Sequence, residues 1–313
     1  MSFDWNSYRE GLNPDDLIWD SPTDLARLSM STFIAEQSPV RRDSSSGYLR
    51  LLGPGVHGHS ASLTHVAGVM TQFQRLVLAS GLALAGWKTS RGRAPADVVA
   101  RTKLLLDGSA APGSLVLQMV PAALPAEEIM PSGQGEFFRE DDNQVVDNAM
   151  GRSIDLLNLG KATGPDADSS PFLTEVKASG PRVAAALRDF AKDLASGGFE
   201  ADILWAQPRV KPRRSRLSVG ELSNVAALVA SRELEKEPVT LEGVLRTVSD
   251  IGPLKLEIAP GEYEDISAKN IPGAVIAGLN VGDRVKVLAD VTEEVSAGGE
   301  SKVKYRATQV TVL

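Results

Sequence analysis

Between Pro238 and Leu313 apolar side chains recur at every second position, and this pattern constrains the fold more than any other feature of the chain. Val239, Leu241, Gly243 and Leu245 fall on one face, with Thr240, Glu242 and Arg246 on the other. Leu254, Leu256 and Ile258 alternate with Lys255 and Glu257, and Val285, Val287, Ala289 and Val291 with Arg284, Lys286 and Asp290. Val303, Tyr305 and Ala307 alternate with Lys304 and Arg306, and Val310 and Val312 continue that run. A period of two means strands with one face buried and one wet. Gly252-Pro253, Pro260-Gly261, Gly282-Asp283 and Gly298-Gly299 separate the runs with turn chemistry. A short strand near Glu264–Ala268 makes five, and Asn270–Leu279 supplies a helix or bulky loop between the third and fourth.

Five strands with that insertion resemble an OB-fold, a small closed barrel. The resemblance covers residues 237–313 and implies binding rather than catalysis. Binding of nucleic acid by such a barrel needs a basic groove and aromatic platforms on which bases stack. Residues 238–313 have eight basic against eleven acidic side chains, a net of −3. Their aromatics are Tyr263 and Tyr305, and Tyr305 lies on the inward register. A protein contact or a structural role is therefore expected ahead of nucleic-acid binding.

The whole chain has 313 residues, enough for two domains, each with its own core. Its net charge of −7 opposes general attraction to phosphate backbones. With no cysteine, disulfides, thiolate nucleophiles and cysteine zinc sites are excluded. The start, Met-Ser-Phe-Asp-Trp, lacks a basic region followed by an apolar run, so no signal peptide is expected. No apolar stretch reaches the ~20 residues of a membrane helix. The expectation is a cytoplasmic bacterial protein with no membrane contact.

The fold class expected is α+β: an N-terminal extension over 1–46, a mixed α+β body over 47–236, and the five-stranded OB-like barrel over 237–313. In the extension, 24–33 could form one helix. In the body, Tyr48–Leu52 reads as a strand, and Ser60 or Ser62 can cap a helix running to about Ala85, with Leu63, Val66, Met70, Phe73 and Val77 on one stripe. Leu104–Leu106 and Ser114–Val120 read as a hairpin, Val145–Leu159 as a helix, and Ile203–Trp205 as a strand. Arg182–Leu194 reads as a helix with Val183, Leu187, Phe190 and Leu194 on its apolar stripe and Gly197 past its end. Ser218 and Glu221 form a capping box opening a last helix. Residues 121–142 and 160–170, rich in Pro, Gly and acid, read as loops.

Four features of the body could carry chemistry. Arg209, Lys211, Arg213, Arg214 and Arg216 place five cations in eight residues, the best electrostatic argument for a polyanion contact in an acidic chain. The same charges would also suit a solvated edge strand, which they protect from aggregation. His57, His59 and His65 are the three histidines and fall within nine residues. The His-x-His pair projects two imidazoles to one side of an extended segment, and the third could close a zinc or nickel site. No carboxylate nearby in sequence orients them, so a loop and a helix surface are the simpler expectation. Gly53–Gly58 matches the dinucleotide fingerprint, but Pro54 sits inside it and no acidic strand end follows at the right distance, so it reads as a turn. The acidic run 136–142 reads as a solvated loop.

No phosphate-binding loop with a following Lys-Ser/Thr and no nucleophile elbow is present. The composition resembles that of bacterial accessory proteins, including those of mobile-element and phage-defence loci. The function expected is a non-catalytic binding or adaptor subunit of a cytoplasmic assembly, with a protein partner or a second copy and no cofactor. The alternatives are a nucleic-acid binder using 209–216 and a metal-dependent enzyme built on the histidines.

Overall fold

The computed structural model describes residues 25, 26, 29, 43–90, 92–107, 115–125, 128, 143–165, 167, 169–208, 210–232, 234, 236–249, 251–295 and 301–313. The expected helix at 24–33, the turn of the 104–120 hairpin and the acidic run 136–142 fall wholly or mostly outside these. The architecture is α+β. The described residues divide into two compact units. The first takes in those up to Val66 with those of Pro95–Ala162 and Leu194–Leu222; the second takes in those of Ala67–Ala94, Thr163–Asp193 and Ser223–Leu313.

The first unit is built on an antiparallel sheet. Its strands are β1 (Ser46–Leu52), β4 (Leu104–Asp107), β5 (Leu115–Pro121), β6 (Glu200–Ala206) and β7 (Arg213–Leu217), in the order β4-β5-β1-β6-β7. Two-residue strands β2 (Val56–His57) and β3 (Ser60–Ala61) form a separate hairpin. The period of two sorts the sheet into two faces. Leu49, Leu51, Leu117, Met119, Ile203, Trp205 and Leu217 are buried on one. The other carries Tyr48, Arg50, Gln118, Asp202, Arg214 and Arg216, which are register partners or near neighbours across the strands. Helices α2 (Ala96–Arg101) and α3 (Val145–Lys161) complete this unit. A buried carboxylate ties α3 to β6. Asp147 accepts from the Gln144 backbone at 3.2 Å, closing a capping box, and from the Trp205 indole at 2.9 Å. Within Gly53–Gly58, residues 53–55 turn the chain from β1 into β2 and Gly58 begins the β2–β3 turn, with Gly53 and Gly58 at positive φ.

Helix α1 (Leu63–Leu84) starts where the sequence places it, but its first residue, Leu63, is 83% exposed, unlike the rest of the expected stripe. The second unit also holds α4 (Pro171–Ser179) and most of α5 (Pro181–Ser196) and α6 (Val219–Ser231). Val183, Leu187, Phe190 and Leu194 of α5 are fully buried, as their spacing requires. The glycine that ends α5 is Gly198 rather than Gly197: it takes φ 66°, and the Phe199 amide reaches back to the Leu194 carbonyl at 2.9 Å. Arg75 Nη1 lies 2.6 Å from Asp189 Oδ2, joining α1 to α5.

Strands β8 (Glu237–Thr247), β9 (Leu254–Ala259), β10 (Glu262–Ser267), β11 (Arg284–Val295) and β12 (Ser301–Val312) form a closed barrel in the order β10-β12-β11-β8-β9. Every pairing is antiparallel except β10 with β12, which is parallel. Short helix α7 (Gly273–Ala277) fills the connection between the third and fourth strands. This arrangement is consistent with an OB-like barrel. Leu245, Leu254, Leu256, Ile266, Val285, Val287, Ala289, Val291 and Ala307 are fully buried inside it. The inward set of β12 switches from Tyr305 and Ala307 to Val310 because Thr308 is bulged: Ala289 pairs with Ala307 but Leu288 with Gln309. Ile258, expected inside, is exposed instead. It lies next to the register shift between Glu262 and Tyr263, where the β9–β10 ladder loses its strict alternation. The Glu237 carboxylate accepts from the Thr89 hydroxyl and the Ser90 amide, each at 2.8 Å.

Candidate functional site

The last part of the cationic segment, Arg213–Arg216, lies in β7, the last strand of its sheet, and its three arginines meet carboxylates of α3 and β6. Arg213 Nη1 reaches Asp155 Oδ2 of α3 at 2.5 Å. Arg214 holds Asp202 of β6 with two hydrogen bonds, Nε to Oδ1 at 2.8 Å and Nη2 to Oδ2 at 2.6 Å. Arg216 Nε lies 3.4 Å from the same carboxylate. Lys211 is exposed in the connection before β7, and Arg209 lies outside the described residues.

The Asp202 side chain is 5% exposed. Burial alone would raise its pKa, but the hydrogen bonds and charge of Arg214, joined by Arg216, hold it below the ordinary carboxylate value. A fork-on-fork pair of this kind orders both partners.

Helix α3 covers the outer edge of β7. Asn158 Nδ2 donates to the Arg214 carbonyl at 3.0 Å and Lys161 Nζ to the Arg216 carbonyl at 2.8 Å. Edge carbonyls left bare would template pairing with another chain, and here side chains occupy them. Gly151 makes room for this contact, since a β-carbon there would stand 3.0 Å from the Arg213 guanidinium carbon.

Where β1, β6 and β7 end beside α3 and α6, a cleft of about 340 Å³ opens. Arg50, Lys161 and Arg216 line it, and so do Glu200, Asp202 and Glu221. Glu221 accepts from the Ser218 amide at 2.7 Å and the Ser218 hydroxyl at 2.9 Å, which is the capping box expected from the sequence. The Ser218 amide bond is the main cause holding the Glu221 pKa below its ordinary value, with Lys161 adding to it at 3.8 Å.

The histidines are spread over three local settings. His57 is on β2, His59 in the β2–β3 turn and His65 in the first turn of α1. The His65 ring meets Phe199 edge-on, with centroids 6.5 Å apart. Among the described residues no group of three or more His, Asp or Glu side chains is placed to hold a metal ion.

On the barrel, the outer face of β9 and β10 presents Lys255, Glu257, Tyr263 and Asp265. Its cations are again matched: Arg246 Nε to Glu257 Oε2 at 2.5 Å, and Lys255 Nζ to Asp265 Oδ1 at 3.9 Å. Tyr263 stands half exposed among them. Glu264 turns to the inward side opposite Leu256, where burial raises its pKa and the nearby Asp265 and Glu262 raise it further.

Comparison with protein-family models, curated proteins and solved structures finds no match to this chain.

Sequence reasoning missed the acids that answer the cations. Asp202 is 12 residues from Arg214 and Asp155 is 58 from Arg213, so proximity along the chain carried no sign of either pair. A signal did exist for Asp202: it is the lone acid within the otherwise apolar stretch Ala201–Trp205. A charge in such a strand implies a partner on the adjacent one.

Proposed function

We propose that this chain is a non-catalytic adaptor subunit of a bacterial cytoplasmic assembly, and that its barrel is an OB-fold used for contact with protein. The observation that carries this reading is the pairing of exposed cations. Arg213 and Arg214 meet carboxylates on the body, and Arg246 and Lys255 meet them on the barrel. A phosphate backbone binds by releasing counterions from cations it neutralises, and cations already matched by carboxylates contribute little to that. The outer face of β9–β10 offers one aromatic, Tyr263, where stacked bases would need several. An exposed tyrosine ringed by paired charges suits the centre of a protein interface with a polar rim. Closure of the barrel supports the same view, because it leaves the five strands no open edge to protect and frees the outer face for contact.

The test is co-purification of the tagged full chain from its own host, with and without nuclease, for wild type and Tyr263→Ala. The reading requires a protein, or a second copy of the chain, retained through nuclease treatment and weakened by Tyr263→Ala by about 2 kcal/mol, the scale of an interface anchor. Retention that vanishes with nuclease would refute it.

A further inference from the structure

We infer that the cleft at the end of β1, β6 and β7 binds a small zwitterion of the α-amino-acid type, with its carboxylate on Arg216 and its ammonium on Glu200. The site is remote in sequence from the barrel and goes beyond the adaptor reading. Its volume of about 340 Å³ is that of a small-molecule pocket.

Four of the six ionic side chains of the cleft, Arg50 among them, are engaged within the protein. Asp202 is occupied by Arg214 and by Arg216 Nε. Glu221 is occupied by the Ser218 cap, and Lys161 donates to the Arg216 carbonyl. Arg216 approaches Asp202 only loosely, with Nε at 3.4 Å, and its side chain is 62% exposed, so its guanidinium faces the cleft open to a ligand. Glu200 is exposed at the first position of β6 and makes no ion pair among the described residues.

The register fixes their relation. Asp202 is opposite Arg216, and Glu200 is two residues from Asp202 along the same strand, so Glu200 and Arg216 are diagonal neighbours on one face. Diagonal neighbours on adjacent strands stand about 7–8 Å apart. Two opposite charges are thus fixed at short range over an open cleft without pairing with each other. A molecule with a carboxylate and an ammonium on a short skeleton satisfies both at once. The guanidinium fork matches the carboxylate, and Glu200 takes the ammonium. A ligand with only an anionic group would gain Arg216 but face Glu200, and a simple amine would face Arg216. Leu52 of β1 lines the same cleft and offers an apolar surface to the ligand's side chain.

The experiment is calorimetric titration of the full chain with glycine, L-leucine, L-glutamate and L-lysine, with propionate and propylamine as single-charge controls. Saturable binding of at least one amino acid is expected below about 10 mM, with propionate and propylamine at least tenfold weaker. Arg216→Gln and Glu200→Gln should each weaken that binding by about tenfold or more, the scale of a lost charge-assisted hydrogen bond. Both residues are exposed, and unchanged thermal unfolding of each variant verifies that the fold is intact. Absence of amino-acid binding up to that concentration would overturn the inference. So would propionate binding as tightly as the amino acids, or equal binding by wild type and both folded variants.

Discussion

Asp202 is the side chain on which the charge balance of β7 turns. It is buried at a register position between Arg50 on β1 and Arg216 on β7, with Arg214 folded onto it from the diagonal position. Burying a carboxylate is costly unless it is paired and hydrogen-bonded, and removing its charge strands the guanidinium groups above it. Asp202→Asn should therefore destabilise the protein by roughly 1–3 kcal/mol at neutral pH. The pH dependence has a definite sign. The folded-state pKa is depressed below the ordinary 3.8, so the contribution of Asp202 is fully present above that value and is lost as pH falls through the folded pKa. Wild type and Asp202→Asn should differ in denaturation midpoint at pH 7 and converge below about pH 4. A gap that stayed constant down to the acid limit would contradict this role.

Elements differ in how much of themselves they show in the sequence, and the reason is where their partners lie. The barrel strands were legible because burial on one face imposes a period of two on each strand separately. Even the bulge at Thr308 left a trace, as the apolar positions of β12 step from odd at Ala307 to even at Val310. Helix α5 was legible for the same reason, since its stripe is complete within one segment. Helix α4 was not, although Ser170 caps it through the Leu173 amide at 3.2 Å and Pro171 stands at its first position. Its nine residues are too few for a stripe to stand out beside the polar loop that precedes it. The two-residue strands β2 and β3 fall below any periodicity. Register is testable at this scale. Val287 is fully buried between Leu241 and Val310, whereas Lys286, one residue earlier, faces outward and meets Glu242 at 3.3 Å. Val287→Asp should remove several kcal/mol, on the order of a small domain's whole stability, and Lys286→Asp less than about 1 kcal/mol. Urea unfolding of the two variants checks this, and equal tolerance of both would show the register to be wrong.

At the scale of the molecule, a chain of net charge −7 spends its densest run of cations on its own sheet edge. Sequence alone left the 209–216 cluster open between a polyanion contact and an edge strand. The strand, its place at the end of the sheet and the α3 side chains on its carbonyls follow from long-range pairing that no local pattern encodes. The candidate amino-acid cleft was hidden for the same reason, because Glu200, Arg216 and Lys161 are brought together only by the fold. No helix among the described residues is long and apolar enough to cross a membrane. Arg213 and Arg214 thus serve the fold, and the contact we propose for this chain is with protein rather than nucleic acid. The most direct measurement is fluorescence anisotropy of labelled single- and double-stranded oligonucleotides titrated with the full chain at about 50 mM salt, where counterion release is strongest. No saturable binding is expected below about 100 μM, with Arg213→Glu/Arg214→Glu lowering thermal stability instead. Micromolar binding that falls steeply with salt and is abolished in a still-folded Arg213→Glu/Arg214→Glu variant would contradict it.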